Sequence, residues 1–337
     1  MTRHSLITNS AYLDLLRSLQ DEQASLLRGT PTREMRNGRA YWYDIYRVGS
    51  SVRKSYIGED TPELADRLQR TRELVHDRQA RGRKRTELVR TLRAGGMLGA
   101  DASIGSLLST LERLGVFRLG GTLVGTQAFR LYEGELGIRI PGDELAQTMD
   151  VDIAQFERLS LALGDQVEEP LAAAFRTLDF EPVPTLRNRA VWKWRQTRSD
   201  LLVEFLTPSF RPEEDIRDLP ALGVAAQSLH FLNFLIAGPI KAAALYRSGV
   251  LVQVPRPERY AIHKLIVADR RRAGPGQIKS RKDRAQAALL IKTLAEDRPD
   301  ELREAYADAM ERGPQWRAHL GATLERMPEI AAKLAAT

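Results

Sequence analysis

Hydrophobic and polar positions recur along this chain with two different periods. Residues 5–27 carry apolar side chains at helical spacing and predict a first helix. The basic, turn-rich stretch 28–38 reads as a linker. Residues 40–58 change to a period of two, with Tyr41, Tyr43 and Ile45 on one face and Trp42, Asp44 and Tyr46 on the other. Gly49-Ser50-Ser51 interrupts the run before Val52, Lys54 and Tyr56 resume it, which predicts a β-hairpin. Thr61-Pro62-Glu63 then supplies a cap and a first-turn proline for a long charged helix over 61–93, closed by Ala94-Gly95-Gly96. A short helix at 101–114 leads into a buried strand at 116–124 and a helix from Gln127 to Tyr132. After residue 210 the chain reads as helical again, broken near Gly238-Pro239, Val254-Pro255-Arg256-Pro257 and Gly274-Pro275-Gly276. The expected organisation is a helix and hairpin arm over 1–99, an α/β centre over 100–210 and a helical domain over 211–337.

Composition narrows the class. A chain of 337 residues with 43% hydrophobic content has room for two or three domains and a sizeable core. The absence of cysteine excludes a disulfide framework, thiolate zinc sites, iron–sulfur clusters and cysteine nucleophiles. No apolar run approaches the roughly 20 residues of a membrane span, and no signal-peptide core follows Arg3 and His4. A soluble, cytoplasmic protein without a membrane partner is expected.

Charge changes the picture further. The net charge is +7, yet residues 28–99 alone hold 17 Lys and Arg against 9 Asp and Glu. A second cluster comprises Arg270, Arg271, Arg272, Lys279, Arg281, Lys282 and Arg284, offset only by Asp283. Such clusters fit a polyanion, either nucleic acid or a nucleoside triphosphate, or else simply solvated helix faces. RNA or another nucleic acid is the partner expected for the N-terminal arm. Its hairpin aromatics, beside Arg47, Arg53 and Lys54, suit either stacking on bases or packing against the next helix.

Candidate chemistry is concentrated in the centre. Gly125-Thr126 sits between a strand and a helix, where free backbone N–H groups suit a phosphate, and Gly120-Gly121-Thr122 repeats the turn five residues earlier. Asp150 and Asp152 stand at i and i+2 in a strand, so both carboxylates project from one face while Met149, Val151 and Ile153 turn to the core. Paired carboxylates fit a divalent cation shared with substrate phosphates, or a solvent-facing edge. Glu204 interrupts the apolar strand Leu201–Leu206 and joins the pair if the two strands are neighbours; Asp200 competes for that role but lies at a strand start. Three convergent acids are the layout of a two-metal phosphoryl-transfer site. Trp192 and Trp194, among Arg187, Arg189, Lys193, Arg195 and Arg198, fit a stacking surface and a core-covering hairpin equally well.

The strand, Gly-Thr turn and helix, the Asp-x-Asp strand and the later acidic strand resemble the polymerase-beta-type nucleotidyltransferase superfamily. "LVGTQAF", "TMDVDIA" and "YWYDIY…SYIGED" are similar to an uncharacterised bacterial nucleotidyltransferase-fold family. The resemblance implies an α+β fold: a nucleotidyltransferase-type mixed β-sheet core flanked by helices, with an N-terminal helix and β-hairpin arm and a helical C-terminal domain. It implies that Gly125 and Thr126 hold nucleotide phosphates. Asp150 and Asp152 would bind Mg²⁺ (or Mn²⁺), and Glu204 would complete the metal site and help deprotonate an acceptor. Lys264, on the helix after Pro257, and Lys241 are the candidates for meeting the triphosphate, each against the plain reading of a surface lysine. The chain departs from the superfamily's usual pattern in the long gap from Gly125 to Asp150, in Thr126 for Ser and in Glu204 for Asp. The expected function is metal-dependent transfer of a nucleoside monophosphate from an NTP to RNA, a protein or a small molecule. The alternative is a non-catalytic nucleic-acid-binding or regulatory protein on the same fold.

Overall fold

The computed structural model describes residues 2–23, 29–36, 38–48, 51–76, 78–141, 145–162, 165–184, 190–211, 213 and 215–337. The expected helix end at 24–27, the hairpin break at Gly49-Ser50, and Arg187 and Arg189 lie outside the described residues, as does the side chain of Arg47.

Helix α1 (Leu6–Gln23) is followed by a three-stranded antiparallel sheet of β1 (Thr30–Arg36), β2 (Arg39–Val48) and β3 (Ser51–Glu59). The expected linker at 28–38 thus contains an edge strand, whose Pro31 and charged residues conceal it until β2 supplies a partner. The charged stretch 61–93 forms two helices, α2 (Pro62–His76) and α3 (Arg78–Ala94). Tyr12, Leu15 and Leu19 of α1 and Val89 and Leu92 of α3 share a buried cluster with Ala243, Leu245 and Leu251, which ties the arm to the body.

The body is built on a seven-stranded mixed sheet. Its main path is β4 (Thr122–Val124), β5 (Asp150–Ala154), β8 (Leu202–Ser209), β10 (Val224–His230) and β9 (Ile216–Leu219). The short strand β7 (Lys193–Gln196) pairs with the start of β8 and carries β6 (Phe180–Pro182) beside it. Helices α4 (Ala102–Arg113) and α5 (Gly125–Leu136) contribute Leu107, Leu108, Leu111, Phe129 and Tyr132 to the main core. Short helices α6 (Glu157–Ala162), α7 (Leu171–Thr177) and α8 (Leu232–Leu235) fill the connections.

The expected strand at 116–124 shrinks to Thr122–Val124. Val116, Phe117 and Leu119 are buried, but Gly115 and Gly120 adopt φ of 86° and 94°, and Leu119 N–H donates to the Gly115 carbonyl. An apolar run of this length fits either a strand or buried turns, and the left-handed glycines decide for turns. Met149 is not in the core as expected but 44% exposed. Residues 211–256 are also not mainly helical. They form β9, β10 and the hairpin β11 (Ile240–Ala244) with β12 (Val250–Val254). Alanine-rich segments such as Ile240–Ala244 favour helix locally, and their strand state comes from burial between neighbours. The helical part begins at α9 (Pro257–Arg270) and continues through α10 (Gln277–Asp297), α11 (Pro299–Glu311), α12 (Pro314–Leu324) and α13 (Pro328–Ala336). No helix among the described residues is long and apolar enough to cross a membrane.

Candidate active site

Asp152 and Glu204 meet on one rung of the sheet, with Asp150 two residues back on the same face. In β5, Val151 and Ile153 are fully buried while Asp150 and Asp152 occupy the opposite face, as strand alternation requires. β5 runs parallel to β8 with Asp152 paired to Glu204. The same rung extends to Val124 of β4 on one side and to Lys193 of β7 on the other. Asp152 therefore lies between the turn that opens α5 and the third acid. Burial, then Glu204, then Asp150 push its carboxyl up to about 7, against the opposing pull of Lys264 and Arg271.

Gly125 closes the other wall. Its φ is 66°, and a Cβ there would stand 2.4 Å from Asp152 Oδ2, so only glycine lets the turn approach the carboxylate. Val124 precedes α5 in extended conformation, and no side chain caps the helix. The first N–H groups of α5, with Thr126 in the first turn, thus lie at its positive end beside the acids. Tyr260 of α9 holds the turn: its hydroxyl lies 2.9 Å from the Gly125 carbonyl and 3.1 Å from Gln286 Oε1. Gln286 Nε2 in turn donates to the Leu145 carbonyl at 2.7 Å. Tyr260 and Gln286 have no signal in the sequence, because their role depends on where α9 and α10 pack.

The cations come from the same two helices. Lys264 is buried, and its Nζ donates to Asp283 Oδ1 at 2.5 Å, while Arg271 donates to Asp283 Oδ2 at 2.9 Å. Burial pushes the Asp283 carboxyl up, but Lys264 and Arg271 outweigh it and hold the group below the usual carboxylate range. Lys282 donates to the Gln147 carbonyl in the approach to β5. Its ammonium is held below the usual lysine range, by burial first and then by Lys264, with Asp150 and Asp283 pulling the other way. Of the second basic cluster, Arg271 and Lys282 thus act on the acidic strand, while Arg270 turns to the His230 carbonyl and Arg272 to Asp269, a division that counting charges could not provide. Lys241 stands elsewhere: its Nζ reaches the Phe117 carbonyl at 3.4 Å and its charged neighbour is Glu112. Among the described groups, the cations acting on Asp152 are Lys264 and Arg271 rather than Lys241. His263 is buried, and burial and then Lys264 push its imidazole down to about 3, so it stays neutral.

Glu204 is not free in this state. Lys193 Nζ lies 2.5 Å from Glu204 Oε1, with both side chains about a quarter exposed. Of the two tryptophans, Trp194 is buried against Phe175 and Phe205, with ring centroids 5.1 and 5.5 Å away, which assigns it to the core. Among the described residues no three His, Cys, Asp or Glu side chains stand together as a ready metal cage. The donor set nevertheless fits a divalent cation, because Mg²⁺ is held by one or two carboxylates with substrate phosphates and water filling the rest. Asp150 and Asp152 supply those two carboxylates, and their mutual repulsion is what a cation would relieve.

Residues 102–311 match the nucleotidyltransferase family NTP_transf_8, a span that holds Gly125, Asp150, Asp152, Glu204, Lys264 and Asp283. The chain belongs to that nucleotidyltransferase family. Residues 10–66, which include the three-stranded sheet, match a domain of unknown function, DUF6788. None of the curated proteins matches the chain. Among solved structures it is similar to an antigenic nucleotidyltransferase-like protein from Paracoccidioides brasiliensis, at 13% identity and a TM-score of 0.40, over 71% of this chain and 96% of that one.

Proposed function

We propose that this nucleotidyltransferase-family protein is a cytoplasmic, metal-dependent enzyme that moves a nucleoside monophosphate from an NTP to an acceptor hydroxyl on RNA, a protein or a small molecule. The observation that carries the reading is the contact between the turn and the acids. The uncapped start of α5 comes so close to Asp152 that a Cβ at Gly125 would sit 2.4 Å from its Oδ2, with Glu204 on the same rung. A phosphate at the helix start and a carboxylate pair beside it are the two requirements of phosphoryl transfer, which depends on positioning and electrostatics more than on covalent help. Mg²⁺ or Mn²⁺, held by Asp150 and Asp152 and joined by Glu204 if it leaves Lys193, would neutralise charge on the transferred phosphate. Lys264 and Arg271, fixed by Asp283, present positive charge toward the same carboxylates and suit the remaining phosphates.

The test is incubation with each α-³²P-labelled NTP, Mg²⁺ or Mn²⁺ and total cellular RNA, beside the Asp150→Ala/Asp152→Ala variant. Label on RNA or on the protein itself, dependent on the two aspartates, supports the reading. Equal labelling by both proteins would refute it.

A further inference from the structure

The sheet β1–β3 has two unlike faces. One is covered: Trp42 is buried, its Nε1 donates to Asp60 Oδ1 at 2.7 Å, and a Cβ on the neighbouring Gly58 would meet the Leu64 side chain of α2 at 2.8 Å. The other face gathers Tyr41, Tyr43 and Tyr56. Tyr43 is paired with Tyr56 in the register, and the centroid of Tyr56 is 5.7 Å from that of Tyr43 and 6.1 Å from that of Tyr41. Tyr56 is 58% exposed and Val52, on the same face, 60%. Lys54 Nζ stands 4.1 Å over the Tyr43 ring and the Arg36 guanidinium 5.4 Å from it. Arg36 is paired in register with Arg39. Two acids share this face: Glu34 is bound to Lys54 and lies 3.9 Å from Arg36, and Glu59 lies 3.9 Å from Arg39. Arg36, Arg39 and Lys54 outnumber Glu34 and Glu59 by one on this face, within a segment, 28–99, that carries an excess of eight.

We propose that this open face binds a single polynucleotide strand, with Tyr41, Tyr43 and Tyr56 stacking on bases and Arg36, Arg39 and Lys54 meeting phosphates. Unpaired bases stack on aromatic rings with little regard to sequence, while adjacent cations track the backbone. Alternation places Tyr41 and Tyr43 about 7 Å apart along β2, and Tyr56 touches both rings, so the three form one continuous aromatic surface on the open face. The proposal gives a role to the DUF6788 span. It rests on the transferase reading only for what the bound strand is used for.

The experiment is fluorescence anisotropy with labelled ~20-nucleotide oligo(U) and oligo(dT) and a duplex of equal length, over ~50 to ~200 mM salt. The single strand is expected to bind more tightly than the duplex. Tyr56→Ala, at a position too exposed to be needed for folding, is expected to weaken it by roughly 5- to 100-fold, while Tyr56→Phe keeps it. Arg39→Ala is expected to lower the salt slope by about 1. Unchanged affinity in Tyr56→Ala, or tighter binding of the duplex, overturns the proposal. So does a dimer, seen by sedimentation, that Tyr56→Ala dissociates without any strand binding. The Asp150→Ala/Asp152→Ala variant separates the two readings. If it loses the strand while Tyr56→Ala keeps it, binding belongs to the acidic site and the platform is refuted. If tyrosine-dependent binding holds but no nucleotide is transferred, the platform stands and the transferase reading falls.

Discussion

Asp152→Asn is expected to stabilise the metal-free protein at alkaline pH, because the native fold holds this carboxylate against its preference. Burial, Glu204 and Asp150 raise its carboxyl from 3.8 to about 7. A group with a raised folded-state pKa binds its proton more tightly in the native than in the unfolded state. Its ionisation therefore costs stability, fully above pH ~7 and not at all below pH ~4. About three units at about 1.4 kcal/mol each set an upper bound of about 4 kcal/mol. Asparagine keeps the shape and removes the charge, so the variant should exceed wild type by about 2–4 kcal/mol at pH 8 in EDTA. For a chain of this size that is a Tm gain of several degrees. The difference should shrink as pH falls through 7 and vanish near pH 4. Adding Mg²⁺ or Mn²⁺ should close the gap by stabilising wild type alone, by about 2.7 kcal/mol at a hundred times its Kd. Urea unfolding of both proteins from pH 4 to 8, with and without metal, measures all of this. A variant no more stable than wild type at pH 8, or a gap that does not change with pH, would refute the argument that the three acids crowd one another.

Four further outcomes follow from particular contacts. Gly125→Ala forces a Cβ to within 2.4 Å of Asp152 Oδ2 at a φ of 66°, and should cost about 1–3 kcal/mol and abolish nucleotide binding by calorimetry. Lys264→Met leaves the buried Asp283 with Arg271 alone, and a loss of about 3–5 kcal/mol in unfolding free energy is expected. Lys193→Met releases Glu204 from its ion pair, so Mn²⁺ binding followed by electron paramagnetic resonance should tighten, with stability changed by no more than about 1 kcal/mol. Phe205→Ala, which removes the ring packed beside the Phe175–Trp194 pair, should cost about 3–5 kcal/mol in denaturant unfolding.

What the sequence discloses here follows the range of the interactions involved. The two faces of β5 were legible because alternation is local: once Val151 and Ile153 turn inward, Asp150 and Asp152 must turn outward together. The turn at Gly125 was legible for the same reason. Its need for glycine was not, since the demand comes from Asp152, which reaches the turn only because β4 pairs with β5. The run Val116–Leu119 and the alanine-rich Ile240–Ala244 misled in opposite directions. In the first, glycines of positive φ override an apolar strand pattern, and in the second, pairing with β12 overrides helix propensity.

The cations mark the limit most clearly. Arg271, Lys282 and Lys264 are plain in the sequence as charges, and so is Asp283 among them. Whether they form a solvated helix face or the electropositive wall of a site depends on how α9 and α10 pack over the turn and the acidic strand. That packing rests on the apolar faces of α9 and α10 and is pinned by Tyr260 and Gln286, which reach the Gly125 and Leu145 carbonyls, each more than a hundred residues away in the chain. A cluster of like charges becomes evidence of a ligand only when a buried counter-charge fixes its geometry, and Asp283 does so here by holding Lys264 and Arg271 in one place. Without such an anchor, flexible lysines and arginines would spread into solvent. With it, the positive charge acting on Asp152 is preorganised before any substrate arrives, the condition under which electrostatics contribute most to phosphoryl transfer.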